Sequence, residues 1–152
     1  MPFSIDLPAR TFRDGSTVAF RGDNGLFLSR IDEFYLEFRK ELIDKFCIFT
    51  IVEPEDHWNS MAIRGDNGMY MSYVYKDVEQ HFVWLAKSTI DEFCLFKPIV
   101  QHDRGMVALQ ASNGKHVSRI NQHDVRASKD LLDRFCFLDL VSDPHAEGGR
   151  YA

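Results

Sequence analysis

Apolar and polar residues along this chain occur in short runs, not at helical spacing. The stretch "VAFRGDNGLFLS" at 18–29 places two apolar runs around Asp-Asn-Gly, the strongest short-range signal for a β-hairpin. A third run follows at "YLEF" and a fourth at "FCIFTIV", with a polar stretch between them that suits one helical or 3₁₀ turn. The fourth run is almost wholly apolar, as expected of a strand buried on both faces. The pattern predicts four strands in this part of the chain.

The same order of runs occurs three times. The segments "TVAFRGDNGLFLSRI", "SMAIRGDNGMYMSYV" and "MVALQASNGKHVSRI" align without gaps, and a Phe-Cys segment follows each of them. Self-similarity of this kind is the mark of a repeat architecture. It divides the chain into repeats at 12–54, 55–101 and 102–142, followed by a tail at 143–152 whose composition predicts a flexible end.

Three repeats of four strands amount to about twelve strands, and a chain of 152 residues fits one domain with a substantial core. A propeller also has four strands per unit but needs roughly four or more blades to close. Closed packing of three such units is the β-trefoil, which would also remove exposed sheet edges. The sequence therefore predicts an all-β, β-trefoil domain over 1–152 with pseudo-threefold symmetry.

Composition narrows the possible partners. The formal charge of −5 disfavours nucleic acid, and no apolar stretch is long enough for a membrane span. The start "MPFSIDLPARTF" lacks the features of a secretory signal. Three cysteines at equivalent repeat positions are expected to be buried free thiols, which suits a reducing compartment. We expect a cytoplasmic protein, or one released without a signal peptide.

Positions shared by the three repeats are expected to serve the fold. They include the Asn-Gly turns, an alanine in each first strand, and a Lys-x-x-x-Asp motif whose spacing fits an ion pair or a cap across one turn. Because only Asn-Gly occurs in all three turns, we interpret the two Arg-Gly-Asp tripeptides at 21–23 and 64–66 as strand ends and turn entries, not as integrin ligands.

No motif points to catalysis or to a cofactor. The chain has no phosphate loop, nucleophile elbow or zinc-protease motif, and its histidines and cysteines lack metal-ligand spacing. We therefore expect a protein that is not an enzyme and carries no cofactor and no metal.

Positions that differ between repeats are where a ligand would be recognised. In the second repeat, Trp84 aligns with Glu37 and Arg126, which indicates an exposed position. Phe82 aligns with Tyr35 and Asp124, with the same implication. The second repeat also has four extra residues near several aromatic side chains. Exposed aromatic rings can stack on a sugar while polar groups bind its hydroxyls, and the same surface would suit a homodimer. The predicted carbohydrate-binding residues are Asp56, Trp58, Asn59, Tyr73, Tyr75, His81 and Trp84.

Two motifs resemble known families. The stretch "VALQASNGKHVS" resembles segments of fascin, and "DNGxFLSRI" followed by "AKSTIDEFCLFKPI" resembles amaranthin-type agglutinins. The second resemblance implies a small lectin that binds glycans or glycoproteins without catalysis. The first implies a module that binds F-actin, with its basic surface supplied by Arg119, Arg126, Lys129 and Arg134. A further alternative is a lectin-like targeting domain of a larger pore-forming protein.

Overall fold

The computed structural model describes residues 12–55, 59–77, 80–101 and 105–145, in which strands dominate. Three 3₁₀ turns, at Lys45–Cys47, Glu92–Cys94 and Arg134–Cys136, precede the fourth strand of each predicted repeat. Within these residues, no helix has the length and apolar character to cross a bilayer. The strands are β1 (Thr17–Arg21), β2 (Phe27–Ile31), β3 (Tyr35–Lys40), β4 (Phe49–Val52), β5 (Ala62–Arg64), β6 (Tyr70–Asp77), β7 (Gln80–Lys87), β8 (Phe96–Gln101), β9 (Met106–Ala111), β10 (His116–Ile120), β11 (Asp124–Lys129) and β12 (Leu138–Ser142).

The strands form one antiparallel sheet that closes on itself. The pairing runs β10-β11-β3-β7-β6-β5-β4-β1-β12-β9, and β9 pairs again with β10. Outside this ring, β2 pairs with β1 and β3, and β8 pairs with β9. Closure leaves few free strand edges for other chains to join.

The prediction of an all-β fold with about twelve strands is confirmed. The strand pairing is that of a closed barrel and does not establish the pseudo-threefold symmetry of a trefoil. Alignment of the repeats could not supply the pairing order, since that order depends on contacts between strands far apart in the chain. The division into repeats at 12–54, 55–101 and 102–142 remains a prediction. Most of the predicted flexible tail lies outside the described residues.

The core is formed by alternate residues of the strands. Its largest fully buried side chains include Phe20, Phe38, Phe49 and Phe96. The prediction that each fourth strand is buried on both faces is wrong, because β4, β8 and β12 each combine buried with partly exposed positions. The closed sheet has an inner face toward the core and an outer face, and successive side chains of a strand alternate between the two.

Each Asn-Gly turn is closed in the same way. In the turns at 22–25, 65–68 and 111–114, the fourth residue is a glycine with φ between 79° and 83°. The amide nitrogen of each turn asparagine also donates to a carbonyl of the strand behind it, for example from Asn67 to Leu85 at 3.1 Å. Asn67 donates to the carbonyl of Glu33 as well, at 3.2 Å, so this side chain connects β7 to the turn between β2 and β3.

The Lys-x-x-x-Asp motif forms both predicted contacts. Asp44 accepts a hydrogen bond from the backbone N–H of Phe46 at 3.0 Å and pairs with Lys40 at 2.6 Å. The equivalent pairs Lys87–Asp91 and Lys129–Asp133 measure 2.7 and 2.8 Å. The prediction of an ion pair or cap is therefore confirmed.

The sequence pattern placed the cysteines in the fourth strand of each repeat, but each of them is the last residue of a 3₁₀ turn that precedes this strand. All three are buried free thiols, as predicted. Burial is the main reason that the pKa values of Cys47 and Cys94 rise to about 11. Thiols with such pKa values stay protonated near neutral pH and are poor nucleophiles.

Candidate functional site

A shallow pocket lies where β3, β7 and β11 meet. The three strands contact one another in a triangle, with Tyr35 opposite Trp84, Phe82 opposite Arg126, and Glu37 opposite Asp124. Backbone hydrogen bonds fix this arrangement, including Leu85 N–H to the carbonyl of Phe34 at 2.8 Å. The pocket has a volume of about 360 Å³. We call it the aromatic pocket; it is lined by Tyr35, Leu36, Glu37, Phe82, Val83, Trp84, Asp124 and Val125.

Strand alternation explains which side chains reach the pocket surface. Each of the three strands has a buried residue that follows its first pocket residue and belongs to the core: Leu36, Val83 and Val125. The residues on either side of it must then face outward. Tyr35 is 45 % exposed, and Trp84 is half-buried.

Four aromatic rings pack together on one side of the pocket. Trp84 meets Tyr35 edge to face, with centroids 5.3 Å apart and an interplanar angle of 86°. It is stacked on Phe82 at 5.9 Å and 22°, and it contacts Phe34 at 5.1 Å. Aromatic contacts at these distances hold the rings in place before any ligand arrives.

The charged side chains form a second side of the pocket. Glu37 and Asp124 line it, with side-chain exposures of 25 % and 45 %. Arg39 pairs with Glu37. The guanidinium of Arg126 lies over the ring of Phe82 at 4.9 Å and is 4.0 Å from Asp124. Neither arginine is among the lining residues, so both charged residues of the lining are acidic.

Of the seven predicted site residues, Trp84 lies in the aromatic pocket. Tyr73 and His81 are buried, at 8 % and 9 % exposure, and the hydroxyl of Tyr73 lies 3.3 Å from Ser112 Oγ. Neither side chain offers a surface for stacking or for hydroxyl recognition. Tyr73 was selected because it lies near the extra residues, but strand alternation turns it inward.

The remaining predicted residues do not join this pocket as far as the structure describes them. Asn59 is exposed in the turn before β5. The backbone of Tyr75 pairs with that of His81, while its side chain lies outside the described residues. Asp56 and Trp58 also lie outside the described residues.

Sequence reasoning missed Tyr35, Glu37 and Asp124, although the signal was present. The alignment placed Trp84 with Glu37 and Arg126, and Phe82 with Tyr35 and Asp124. These two variable positions supply five of the pocket residues, because β3, β7 and β11 bring the aligned positions together. The predicted carbohydrate-binding residues all belonged to the second repeat.

Two alternative chemistries lack support in the described residues. No group of three His, Cys, Asp or Glu side chains is placed to hold a metal ion within the described part of the chain. The predicted basic surface is largely neutralised, because Arg119 pairs with Asp23 at 2.7 Å and Lys129 pairs with Asp133 at 2.8 Å.

Solved structures share the fold of this chain. One is a salivary protein from Culex quiquefasciatus of the Cysteine and Tryptophan-Rich family, with 16 % identity over 84 % of this chain and 93 % of that chain, and a TM-score of 0.67. Another is SeviL bound to asialo-GM1 saccharide, with 14 % identity over 86 % of this chain and 99 % of that chain, and a TM-score of 0.68. At these identities the likeness establishes the shared all-β fold alone.

Comparisons with protein-family profiles and with curated protein sequences found no match. The resemblance to trefoils of the amaranthin-type agglutinin and fascin groups is wrong, because the structures found are a salivary protein and SeviL. The quoted motifs misled because they contain turn and strand residues that serve the fold, and unrelated β proteins need the same residues.

Proposed function

We propose that this chain is a non-catalytic carbohydrate-binding protein and that the aromatic pocket holds the glycan. The observation that carries the proposal is the convergence of Tyr35, Phe82 and Trp84 with Glu37 and Asp124 in one pocket. Its volume of about 360 Å³ lies within the range of small-ligand sites.

The side chains suit the two surfaces of a sugar ring. An aromatic ring stacks on the apolar C–H face of a pyranose. The rings of Trp84 and Tyr35 are nearly perpendicular, so one would stack on the sugar ring while the other contacts its side. Ionised carboxylates only accept hydrogen bonds, so Glu37 and Asp124 would accept hydrogen bonds from the sugar hydroxyls at the ring edge. SeviL, which shares the fold, was solved with a bound saccharide, and this supports the same class of ligand here.

The non-catalytic part of the proposal needs its own test, because most glycoside hydrolases use a pair of Asp or Glu side chains and the lining contains Glu37 and Asp124. We expect an assay for sugar released from bound glycans to be negative. Release that is lost in Glu37→Gln/Asp124→Asn would overturn this part of the proposal.

The test is a glycan array at high protein density, with the wild-type protein and the Trp84→Ala variant. The matched control is Leu131→Ala, which removes an apolar side chain that is 82 % exposed and does not line the pocket. We expect binding by the wild type and the control, and loss in Trp84→Ala. A milder variant, Tyr35→Ala, guards against a folding defect, and unfolding curves check all variants.

Two results would overturn the proposal. One is the absence of any glycan signal from the folded wild-type protein. The other is wild-type binding by both Trp84→Ala and Tyr35→Ala. Size measurement in solution should accompany the array, because an exposed aromatic patch can also mediate a homodimer, and dimerisation would raise the apparent affinity by multivalency.

A further inference from the structure

We propose that the aromatic pocket selects uncharged terminal sugars and rejects acidic ones, with Glu37 and Asp124 as the specificity-determining residues. This inference rests on the proposed function, since it concerns the ligand of the same pocket. It goes further by assigning the charge of the ligand and the residues that determine it.

The placement of the two carboxylates is the first step. Glu37 on β3 and Asp124 on β11 are direct partners across the sheet. Side chains of opposed residues in an antiparallel pair lie on the same face, within about 4.5–5.5 Å at their Cβ atoms. Both line the pocket, so one small cavity contains two neighbouring negative groups.

The second step is the position of the arginines. Arg39 pairs with Glu37 from outside the pocket lining, and Arg126 is held over the ring of Phe82. Neither arginine is among the lining residues, so both charged residues of the lining are acidic. Sugar hydroxyls donate to carboxylates, whereas a carboxylate on the ligand can only accept and is repelled.

The third step is size. A volume of about 360 Å³ is near the lower end of the range for small-ligand pockets. The pocket therefore suits the end of a glycan, and the charge of the terminal sugar decides whether it enters. One like-charge contact at a partly exposed site corresponds to about a tenfold loss of affinity.

The test compares matched glycans with and without a terminal sialic acid, at two salt concentrations. We expect the wild type to bind the desialylated member at least about tenfold more tightly at low salt, with a smaller ratio at high salt because screening weakens the repulsion. In the Glu37→Gln/Asp124→Asn variant the ratio should fall by about tenfold, since the amides still accept hydrogen bonds but carry no charge.

The matched control is Glu41→Gln/Glu92→Gln, which removes the same two charges at exposed positions outside the pocket lining. It should keep the wild-type ratio. Wild-type preference for the sialylated glycan, or an equal ratio in the two double variants, overturns this inference and leaves the proposed function standing. Failure to bind either glycan, together with an array that shows no signal, overturns the proposed function itself.

Discussion

Arg119 donates two hydrogen bonds to the carboxylate of Asp23, a residue 96 positions earlier in the chain. The distances are 2.7 Å from Nε to Oδ1 and 2.8 Å from Nη2 to Oδ2. Only 13 % and 17 % of the two side chains are exposed. The hydrogen bond to Asp23 raises the pKa of the Arg119 guanidinium further above its ordinary value. The aspartate of the first Arg-Gly-Asp tripeptide thus joins two distant hairpins.

The aligned positions elsewhere make corresponding contacts. Arg30 binds Asp66 through two hydrogen bonds of 2.8 Å, and Ser112 Oγ lies 3.3 Å from the hydroxyl of Tyr73. At this third junction, Tyr73 occupies the position of the arginine and Ser112 occupies the position of the aspartate. The paired change keeps a hydrogen bond at each of the three junctions and avoids a carboxylate without its cation.

The first prediction concerns the stability of the Arg119–Asp23 junction. Arg119→Tyr should lower the free energy of unfolding by about 2 kcal/mol, because the Asp23 carboxylate, whose side chain is 17 % exposed, then loses two charged hydrogen bonds. Adding Asp23→Ser places at positions 119 and 23 the same Tyr–Ser combination that Tyr73 and Ser112 form, and should recover part of that loss. Urea unfolding of the single and double variants measures both values.

The control for this experiment is Arg39→Ala, which breaks an ion pair whose arginine side chain is 50 % exposed. Its effect on stability should stay within about 0.5 kcal/mol. A double variant no more stable than Arg119→Tyr alone would show that the paired change does not compensate.

The second prediction concerns cell adhesion. Asp23 and Asp66 present an Arg-Gly-Asp sequence, but both carboxylate oxygens of each are bound by an arginine of another hairpin. Cells plated on the purified protein should adhere no better than on Asp23→Asn/Asp66→Asn. Adhesion to the wild type that a soluble Arg-Gly-Asp peptide inhibits, and that the variant lacks, would contradict the structural assignment.

Local features of the fold were predictable because their causes are local in sequence. The Asn-Gly turns follow from backbone preferences, and the Asp44 cap follows from the spacing to Lys40. The partner of Asp23 was not predictable, because it lies 96 residues away and depends on how the hairpins meet. The closure of the sheet depends on the same long-range contacts.

The candidate site was predicted in part for a similar reason. Trp84 was found because its aligned residues are polar, which implies an outward position. Tyr73 was misjudged because nearness to an insertion does not determine the side of the strand on which a residue lies. The residues aligned with Tyr73 are Arg30 and Arg119, and their guanidinium groups also bind a residue of a neighbouring hairpin. Tyr35 and Asp124 required knowledge of which strands converge.

The third prediction concerns the glycine of Arg-Gly-Asp. A Cβ atom on Gly22 would lie 2.9 Å from Cδ1 of Phe38, which is fully buried. The aligned residue in the third repeat is Ala111, and the residue aligned with Phe38 is the small Ala127. Gly22→Ala should therefore cost about 1–3 kcal/mol of unfolding free energy by overpacking, measured by urea unfolding.

A double-variant cycle tests the cause of that cost. In a Phe38→Ala background, Gly22→Ala should cost at least about 1 kcal/mol less, since the clashing ring is gone. In a Leu85→Ala background, where the removed side chain faces Gly65, the cost should be unchanged within about 0.5 kcal/mol. Equal costs in both backgrounds would exclude Phe38 as the source.

The fourth prediction concerns stability at low pH. Burial on its own would raise the pKa of the Asp44 carboxyl, but hydrogen bonds from Lys40, Cys47 and the Phe46 N–H, together with the charge of Lys40, outweigh it and lower the pKa. The pKa values of Asp91 and Asp133 are lowered in the same way. Because the folded pKa is below the unfolded value of about 3.9, this stabilisation is complete above that pH. It is lost as pH falls through the folded pKa.

Asp44→Asn should therefore flatten the loss of stability below about pH 4, because the amide cannot gain the proton. At pH 7 the variant should be about 0.5 kcal/mol less stable, since Asn still accepts from the Phe46 N–H but no longer forms an ion pair with Lys40. Urea unfolding at pH 7, 4 and 3 measures both effects. Lys40→Met serves as the comparison, because it removes one cause of the lowered pKa and should flatten the profile less. If Asp44→Asn loses stability between pH 4 and pH 3 as steeply as the wild type, the Asp44 carboxylate is not a source of the acid sensitivity.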